Sequence, residues 1–243
     1  MCPAADAAPS FLFLPELGTL PSRFPLAGEA ARYLTRVVRA REGERVHASD
    51  GAGLVALLRV ERARPEPVLV MESSRVCPPA PAARLLCGAP EGERGDWLVE
   101  KLAELGITEL RLVDCARARW PERGREARWE RLAEAALRQS RSPWKMAIRP
   151  PLPLERALEG LPAGPRWLAD AAGAPPAAPG AAADAPLAGA VGPSPGFSDE
   201  ERSVLVAAGF SPVRLAPARL RAETAAVALA AHWAAWREPP APA

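Results

Sequence analysis

Cysteine and histidine are scarce in this chain, and neither residue type is clustered. The 243 residues include four cysteines and two histidines, and no two cysteines form a CxxC pair. A structural zinc site usually needs such a cluster, and a hydrolytic triad needs a histidine beside its nucleophile. We therefore expect no metal site, and the surroundings of His47 and His232 do not favour an acid–base hydrolase.

Long apolar runs are missing as well. No stretch approaches the roughly 20 uncharged apolar residues that a membrane span requires, and we expect no signal peptide because the N-terminus lacks its basic and apolar pattern. Hydrophobic residues make up 49% and charged residues 25%, which is ordinary for a folded globular protein. We expect a cytoplasmic protein, long enough to form one large domain or two smaller ones.

Lysine is the third scarce residue type, since only Lys101 and Lys145 occur. Arginine supplies nearly all of the positive charge, either because of a GC-rich coding bias or because its planar fork suits phosphate and base contacts. The 31 basic residues stand against 29 acidic ones, which gives a net charge of +2. This balance excludes a global polycation but still permits a local basic surface.

A basic run extends from Arg111 to Arg149, where eleven Lys and Arg residues stand against five Asp and Glu. Three tryptophans lie within it, at Trp120, Trp129 and Trp144. Arginines with interleaved aromatics suit phosphate contacts and base stacking in RNA. The same pattern also fits a solvated helix face with Glu–Arg pairs four residues apart. Both interpretations stay open on the sequence alone.

The N-terminal third has the pattern of a small β-rich domain. Residues 1–20 are rich in alanine and proline, and we expect their order to be uncertain. Residues 29–39 predict a helix with one apolar face. Short strands are predicted at residues 46–48, 53–60 and 68–71. Because Asp50-Gly51 gives a turn between the first two, these strands favour a small β-barrel over about residues 20–75.

Strands and helices alternate from Arg84 onward, after a predicted proline-rich linker at residues 76–83. Strands are predicted at residues 85–87, 110–113, 167–169 and 188–191, and helices at residues 96–105, 127–139 and 223–236. Such alternation favours an α/β domain with a mainly parallel sheet. Residues 171–186 are almost all alanine, proline and glycine, and they predict a surface loop.

A glycine- and proline-rich loop follows the predicted strand that ends at Val191. It runs from Gly192 to Phe197, and a helix is predicted to start near Ser198 with three acidic residues in its first turn. Glycines let a ligand approach the backbone, and open α/β sheets bind ligands beyond the carboxyl ends of their strands. A plain strand–loop–helix connection is the alternative.

A second candidate segment surrounds the start of the last predicted helix, from Leu215 to Ala225. Free N–H groups at a helix start attract anions, and Arg221 could orient an anionic or carbonyl group there. Alternatively, Arg221 pairs with Glu223, and Glu223 balances the helix dipole.

Together these segments resemble the bacterial 16S ribosomal RNA uracil-N3 methyltransferase family, a branch of the SPOUT superfamily. The tail Leu220-Arg221-Ala222-Glu223-Thr224-Ala225 is similar to the family's L-R-x-E-T-A motif, and it follows a G-P-x-x-G-F loop. Three further stretches carry the resemblance: residues 33–44 with Asp50-Gly51-x-Gly53, residues 100–107 against K-A-T-E-L-G-V, and residues 134–141 against E-A-A-x-Q-S-x-R with one inserted residue.

The resemblance implies a fold and a set of partners. We expect a PUA-like RNA-binding domain over residues 1–75 and a SPOUT methyltransferase domain with a trefoil knot over residues 84–243. Such knots are rare, and no periodicity could indicate one. The family further implies S-adenosyl-L-methionine as cofactor, a homodimer that shapes the site, and 16S ribosomal RNA of the small subunit as substrate.

The resemblance also assigns residues to roles. From the chemistry of the transfer we also expect Arg221 to stabilise the uracil anion that develops as N3 loses its proton, since the protein supplies alignment and charge placement rather than covalent catalysis. Glu223 and Thr224 would brace the loop. The expected cofactor-binding residues are Gly192, Pro193, Gly196, Leu215, Leu220 and Arg221. The expected RNA-binding residues are Arg39, Lys101, Gln139 and Arg141.

Three segments depart from the family pattern. Ser194 and Pro195 replace Glu and Gly in the family's G-P-E-G-G loop, residues 216–219 differ from the usual polar stretch, and Glu91 stands where a lysine is common. These departures motivate two alternatives. One is a non-catalytic RNA-binding or ribosome-assembly protein of the same fold, and the other is a SPOUT methyltransferase with a different RNA target.

Overall fold

The computed structural model describes residues 10–90, 94–120, 125–177 and 185–236. Glu91, one of the departures from the family pattern, lies outside these residues. The chain divides into two compact units. Among the described residues, the first unit contains residues 10–80 together with Leu137–Lys145, and the second contains the rest.

The first unit is built on a five-stranded sheet with strand order β1-β3-β4-β5-β2. Its neighbours pair antiparallel, except that β1 runs parallel to β3. The strands are β1 (Phe11–Phe13), β2 (Arg23–Pro25), β3 (Arg45–Ser49), β4 (Leu54–Arg62) and β5 (Val68–Val76). The predicted turn between β3 and β4 is present, where a carboxylate oxygen of Asp50 accepts the N–H groups of Ala52 and Leu54 at 2.7 and 3.0 Å.

Residues 11–20 form strand β1 and a short 3-10 turn, so the expectation of uncertain order was wrong for them. Leu12, Leu14 and Leu17 lie in the core and are at most 1% exposed. The short apolar run at residues 11–14 was masked by the alanine and proline around it. Residues 1–9 lie outside the described residues.

The helix predicted at residues 29–39 has two geometries. It begins as α1 (Gly28–Arg32) and continues as a π-helical turn over Tyr33–Val38. The Thr35 hydroxyl donates to the Ala31 carbonyl at 2.7 Å, a bond that competes with regular helix geometry. Arg39 then ends the turn in the left-handed region, with φ of 56°.

The second unit contains the predicted parallel sheet, with six strands in the order β11-β9-β10-β6-β7-β8. The strands are β6 (Ala83–Gly88), β7 (Glu109–Asp114), β8 (Ala147–Pro153), β9 (Arg166–Ala174), β10 (Leu187–Val191) and β11 (Ser211–Val213). The helices are α2 (Gly95–Glu104), α3 (Glu126–Ser140), α4 (Leu154–Ala157), α5 (Asp199–Ala207) and α6 (Ala222–Trp236). The last four residues of α3 belong to the first unit.

The central strand β10 is buried along its whole length because helices cover both faces of the sheet. On one face α6 approaches so closely that a Cβ on Gly189 would lie 2.8 Å from a methyl group of Leu229. Since a buried strand in a parallel sheet has no solvent-facing side, it carries no polar residues.

The surface loop predicted at residues 171–186 was wrong for its first four residues. Strand β9 continues to Ala174, and Gly173 lies where a Cβ would meet the backbone of Pro212 at 2.6 Å. Pairing with β11 therefore decides the structure here, and local composition does not. Residues 178–184 lie outside the described part of the chain.

No helix in the described residues is both long enough and apolar enough to cross a membrane. The same residues contain no group of three or more Cys, His, Asp and Glu side chains that could hold a metal ion.

Candidate functional site

A cavity of about 270 Å³ opens in the second unit, at the carboxyl ends of β10 and β11 and beside the middle of β9. Open parallel sheets bind ligands at the carboxyl ends of their strands. Three segments enclose the cavity: the middle of β9, the loop between β10 and α5, and the loop between β11 and α6. The lining comprises residues 168–171, 191–194, 196, 197, 202, 214–216, 218–220, 222 and 225.

The loop after β10 is shaped by close backbone contacts that only glycine permits. A Cβ on Gly192 would lie 2.8 Å from the Phe197 nitrogen, and one on Gly88 at the end of β6 would lie 2.5 Å from the Pro193 nitrogen. The Gly196 N–H donates to the Pro193 carbonyl at 2.7 Å and closes a tight turn. The backbone itself therefore forms this wall of the cavity.

Ser194 and Pro195, the two residues that depart from the family loop, are placed differently relative to the cavity. Ser194 lines the cavity, whereas Pro195 is exposed and is not part of the lining. The Pro195 carbonyl accepts a bond from Arg117 at 3.4 Å. The proline therefore lies on the outer side of the turn.

The downstream end of this loop is fixed by a capping box. Ser198 and Glu201 exchange side-chain and backbone bonds at 3.2 and 2.7 Å, which confirms the predicted helix start. The Glu201 carboxylate also accepts the Ala116 N–H at 2.7 Å, so it joins α5 to the segment after β7.

Charged side chains in the cavity come from residues that the sequence did not single out as a group. Asp170, in the middle of β9, forms an ion pair with Arg202 of α5 and accepts the Ala172 N–H at 2.8 Å. Arg214 and Arg219 also line the cavity, and neither has a carboxylate partner among the described residues. The signal that could have identified Asp170 is its place directly after the strand predicted at residues 167–169.

Five of the six expected cofactor-binding residues lie around this one cavity. They are Gly192, Pro193, Gly196, Leu215 and Leu220. The sixth, Arg221, is exposed and does not line the cavity, although Leu220 and Ala222 on either side of it do. Glu223 and Thr224, the expected bracing residues, are also outside the lining.

Glu223 pairs with a residue that the sequence analysis missed. Its side chain is 4% exposed, and its Oε1 forms an ion pair with Nη1 of Arg94 at the start of α2. The suggested pair between Arg221 and Glu223 is therefore wrong. The two partners are 129 residues apart in the chain, and no local pattern could have indicated their contact.

The expected RNA-binding residues divide between the units. Arg39, Gln139 and Arg141 are exposed on the first unit, and both arginines adopt left-handed backbone conformations. Lys101 lies on α2 of the second unit, where its ammonium group donates hydrogen bonds to Glu100 and Glu104, and these bonds raise its pKa.

The segment Leu137–Lys145 is bound to the sheet of the first unit. The Pro143 carbonyl accepts bonds from the Gly53 N–H and the Ser49 hydroxyl, both at 3.0 Å. The guanidinium group of Arg138 stacks on the Tyr33 ring at 4.9 Å. Gln139 and Arg141 are thereby held on the same unit as Arg39.

Two tryptophans of the basic run are core residues, so the base-stacking interpretation is wrong for them. Trp120 and Trp129 are each 4% exposed and pack edge to face with ring centroids 5.4 Å apart. Their indole N–H groups donate to the Cys87 carbonyl and to Asp96. Trp144 is half-buried and donates to Pro78 at 3.2 Å.

Several arginines of the basic run are held by one buried carboxylate. Glu109 accepts bonds from Arg111 at 2.5 Å and from Arg149 at 3.3 Å. Burial raises the pKa of Glu109, but the bond to Arg111 and the charges of Arg111, Arg84 and Arg149 outweigh it and hold the pKa below its ordinary value.

We expect the stability that Glu109 provides to disappear in acid. Because its folded pKa is lowered, the contribution is complete above the ordinary value of 4.5 and is lost as the pH falls through the lower folded value. Glu109→Gln should cost about 1–3 kcal/mol of unfolding free energy at pH 7, and the difference should shrink below pH 4.5. Urea unfolding at pH 7 and below pH 4.5 measures this difference in unfolding free energy. Glu159→Gln, which removes one partner of an exposed ion pair, is the control. A pH-independent difference would contradict the assignment.

Comparison with known families and proteins agrees with this architecture. A family model described as an RNA methyltransferase domain matches residues 78–234, and one described as an RNA methyltransferase PUA domain matches residues 26–70.

Two curated relatives cover most of the chain. Ribosomal RNA small subunit methyltransferase E of Synechocystis is 30% identical over 209 residues, which is 82% of this chain and 68% of the relative. The protein of the same description from Mycobacterium tuberculosis is 31% identical over 231 residues, or 88% of each chain.

Two solved structures are similar over nearly the whole chain. A probable rRNA-methyltransferase from Porphyromonas gingivalis has a TM-score of 0.78 at 25% identity and covers 94% of this chain and 98% of its own. The ribosomal RNA small subunit methyltransferase E of Neisseria gonorrhoeae, bound to S-adenosyl methionine, has a TM-score of 0.78 at 24% identity and covers 92% and 95%. At 24% identity, the similarity to the Neisseria protein shows a shared fold. The family model for the RNA methyltransferase domain matches residues 78–234, which is more than half of this chain. The chain therefore belongs to the RNA methyltransferase family.

Proposed function

We propose that this protein transfers a methyl group from S-adenosyl-L-methionine to N3 of a uracil in 16S ribosomal RNA of the small subunit, in the cytoplasm. The observation that carries the proposal is the cavity at the carboxyl ends of β10 and β11, around which five expected cofactor-binding residues lie. The relatives named ribosomal RNA small subunit methyltransferase E support the substrate class. The cofactor bound to the similar Neisseria protein supports the choice of cofactor.

The residues of the cavity fit this cofactor. Gly192 and Gly196 contribute backbone to the cavity wall, and Leu215 and Leu220 provide apolar surface. Arg214 and Arg219 can hold the cofactor carboxylate, and Asp170 can accept from its hydroxyl or ammonium groups. We therefore assign cofactor binding to these residues. The loops that form the cavity are the ones we expect to be threaded in the family's trefoil knot.

The cofactor supplies a methyl group on a sulfonium, and the protein must align the target and manage charge. Uracil N3 would give up its proton to solvent water, and the electron pair left on N3 would bond the methyl carbon as that carbon leaves the sulfonium sulfur, which keeps the electrons of the broken bond. Alignment and electrostatic stabilisation of the anionic base account for such a transfer. We assign the second task to Arg221, whose neighbours Leu220 and Ala222 line the cavity.

The first unit is assigned to RNA binding, together with Lys101 of the second. Arg39 and Arg141 are exposed and have no carboxylate partner among the described residues, so their charges are available for phosphate groups. Gln139, next to Arg141 in the same segment, adds a donor and an acceptor for RNA.

Calorimetry with S-adenosyl-L-methionine tests the cofactor assignment. We expect binding in the micromolar range, with Pro195 on the outer side of its turn causing no loss. A folded protein that shows no heat at millimolar cofactor would favour a non-catalytic RNA-binding protein. Mass mapping of 16S ribosomal RNA from a deletion strain tests the target, where an unchanged uracil methylation pattern would indicate another RNA.

We expect the protein to be a homodimer in solution. Helix α6 is apolar over most of its fifteen residues, and Trp236 near its end is only partly buried within the chain. Burying this surface against a second copy would lower the free energy by the usual hydrophobic contribution. Light scattering at micromolar concentration should give twice the chain mass of 25.8 kDa. A monomer under these conditions would contradict the expectation.

A further inference from the structure

A buried carboxylate holds an arginine in place beside the cavity. The Glu223 side chain is 4% exposed, and one oxygen pairs with Arg94. The other oxygen, Oε2, is buried and has no hydrogen-bond partner among the described residues. A buried ion pair is a weak source of stability, and an unsatisfied carboxylate oxygen adds a cost. The pair is better explained by the orientation that it imposes on Arg94.

Arg94 has most of its hydrogen-bonding capacity left. Its side chain is 45% exposed, and within the described part of the chain only Nη1 is engaged, by Glu223. The remaining donors of a planar guanidinium match an oxyanion in a forked geometry. Arg94 also stands at the start of the ten-residue helix α2, where the helix dipole favours negative charge.

The pair lies next to the cavity wall. Ala222, the residue before Glu223, lines the cavity. Gly88 at the end of β6 contacts the backbone of Pro193, which lines it from the other loop. The charge of Glu223 contributes, after burial and Cys115, to raising the pKa of the neighbouring Cys87 thiol, so the carboxylate is close to the same strand end.

We infer that Arg94 binds an oxyanion of the RNA substrate at the rim of the cavity, and that Glu223 is the positioning residue that orients it. The inference rests on the proposed function. Two sources supply this chemistry, a backbone phosphate beside the target nucleotide and the anionic oxygen of a uracil that has lost its N3 proton.

The test compares Arg94→Gln and Arg94→Lys with a matched surface variant, Arg156→Gln. Arg156 is an arginine of the same unit that is paired with Glu159 and 68% exposed. Near-ultraviolet circular dichroism establishes folding at the assay temperature, calorimetry measures S-adenosyl-L-methionine binding, and methylation of small ribosomal subunits gives kcat and KM. We expect cofactor affinity within about threefold of wild type in every variant, while Arg94→Gln loses about 100-fold in kcat/KM.

The two sources give different kinetic signatures. A uracil contact lowers kcat at saturating RNA and moves the pH profile of kcat towards higher pH, because the anionic base is no longer stabilised. A phosphate contact raises KM and lowers the salt dependence of RNA binding by about one counterion, with kcat unchanged. Arg94→Lys keeps a charge near Glu223 and should recover part of either loss.

Glu223→Gln separates positioning from direct contact. If Glu223 acts through Arg94, adding Glu223→Gln to Arg94→Gln should produce no further loss in kcat/KM. Wild-type kinetics in a folded Arg94→Gln variant would overturn the inference. Additive losses of kcat/KM in the double variant would overturn the positioning role of Glu223. A wild-type protein that neither binds the cofactor nor methylates RNA would overturn the proposed function itself. If Arg94→Gln does not fold, the same comparison is decided with Arg94→Lys.

Discussion

Gly192→Ala should weaken S-adenosyl-L-methionine binding about 100-fold while leaving the protein folded. The added Cβ would lie 2.8 Å from the Phe197 nitrogen and 3.1 Å from its ring, and real Cβ atoms do not approach backbone that closely. The loop must move to relieve the clash, and both residues line the cavity. A displacement of about 1 Å in a binding site can cost two orders of magnitude. Calorimetry at increasing cofactor concentration measures the change.

Gly18→Ala is the matched control for this substitution. Its Cβ would make an ordinary contact, 3.5 Å from Leu54, in the first unit. We expect cofactor affinity unchanged in that variant, with a small change in unfolding temperature. Cofactor affinity within about threefold of wild type in Gly192→Ala would mean that the cavity at β9, β10 and β11 is not where the cofactor binds.

Arg94→Met should lower the unfolding free energy by about 2–4 kcal/mol. Removing one partner of a buried ion pair leaves the other charge uncompensated, at a cost of about 3–5 kcal/mol. We expect a smaller loss of unfolding free energy than for a fully buried pair, because the Arg94 side chain is 45% exposed and water can partly replace it near Glu223. Urea unfolding at pH 7 measures the loss.

Removing both charges of the Arg94–Glu223 pair should destabilise the protein much less than removing Arg94 alone. Because apolar replacement of a whole buried pair is often neutral or stabilising, the double variant Arg94→Met/Glu223→Leu should regain most of the stability lost in Arg94→Met. The exposed pair Arg156–Glu159 provides the comparison, where neither single nor double replacement should change stability by more than about 1 kcal/mol. A double variant as unstable as Arg94→Met would show that packing, and not charge, explains the effect.

The parallel sheet and several helix starts were predictable because they depend on local patterns. Apolar segments indicated the strands β6, β7, β9 and β10, although β8 and β11 were not predicted, and Ser198 followed by three acidic residues indicated the start of α5. The glycine-rich loop after Val191 was also identified from the sequence, since its position after a buried strand is itself local information.

Other features were not predictable because distant residues determine them. The pair of Arg94 and Glu223 depends on how α2 packs against α6, and the extension of β9 to Ala174 depends on β11. In the sequence, residues 11–17 give only a weak strand signal, because the hydrogen-bond partners of β1 lie in the distant strand β3. Trp120 and Trp129 stand among arginines in the sequence, yet the fold turns both inward.

The first unit is not continuous in the chain, and this affects when it can form during synthesis. Its β3–β4 turn is completed by Pro143 and Trp144, and Lys145 donates to the Gly51 carbonyl at 2.9 Å. A ribosome that has translated only the first 80 residues has therefore not yet made the segment that satisfies these groups. We expect the N-terminal sheet to reach its final stability only after residue 145 has emerged, late enough for the strands β6 and β7 to be available to pair at the same time.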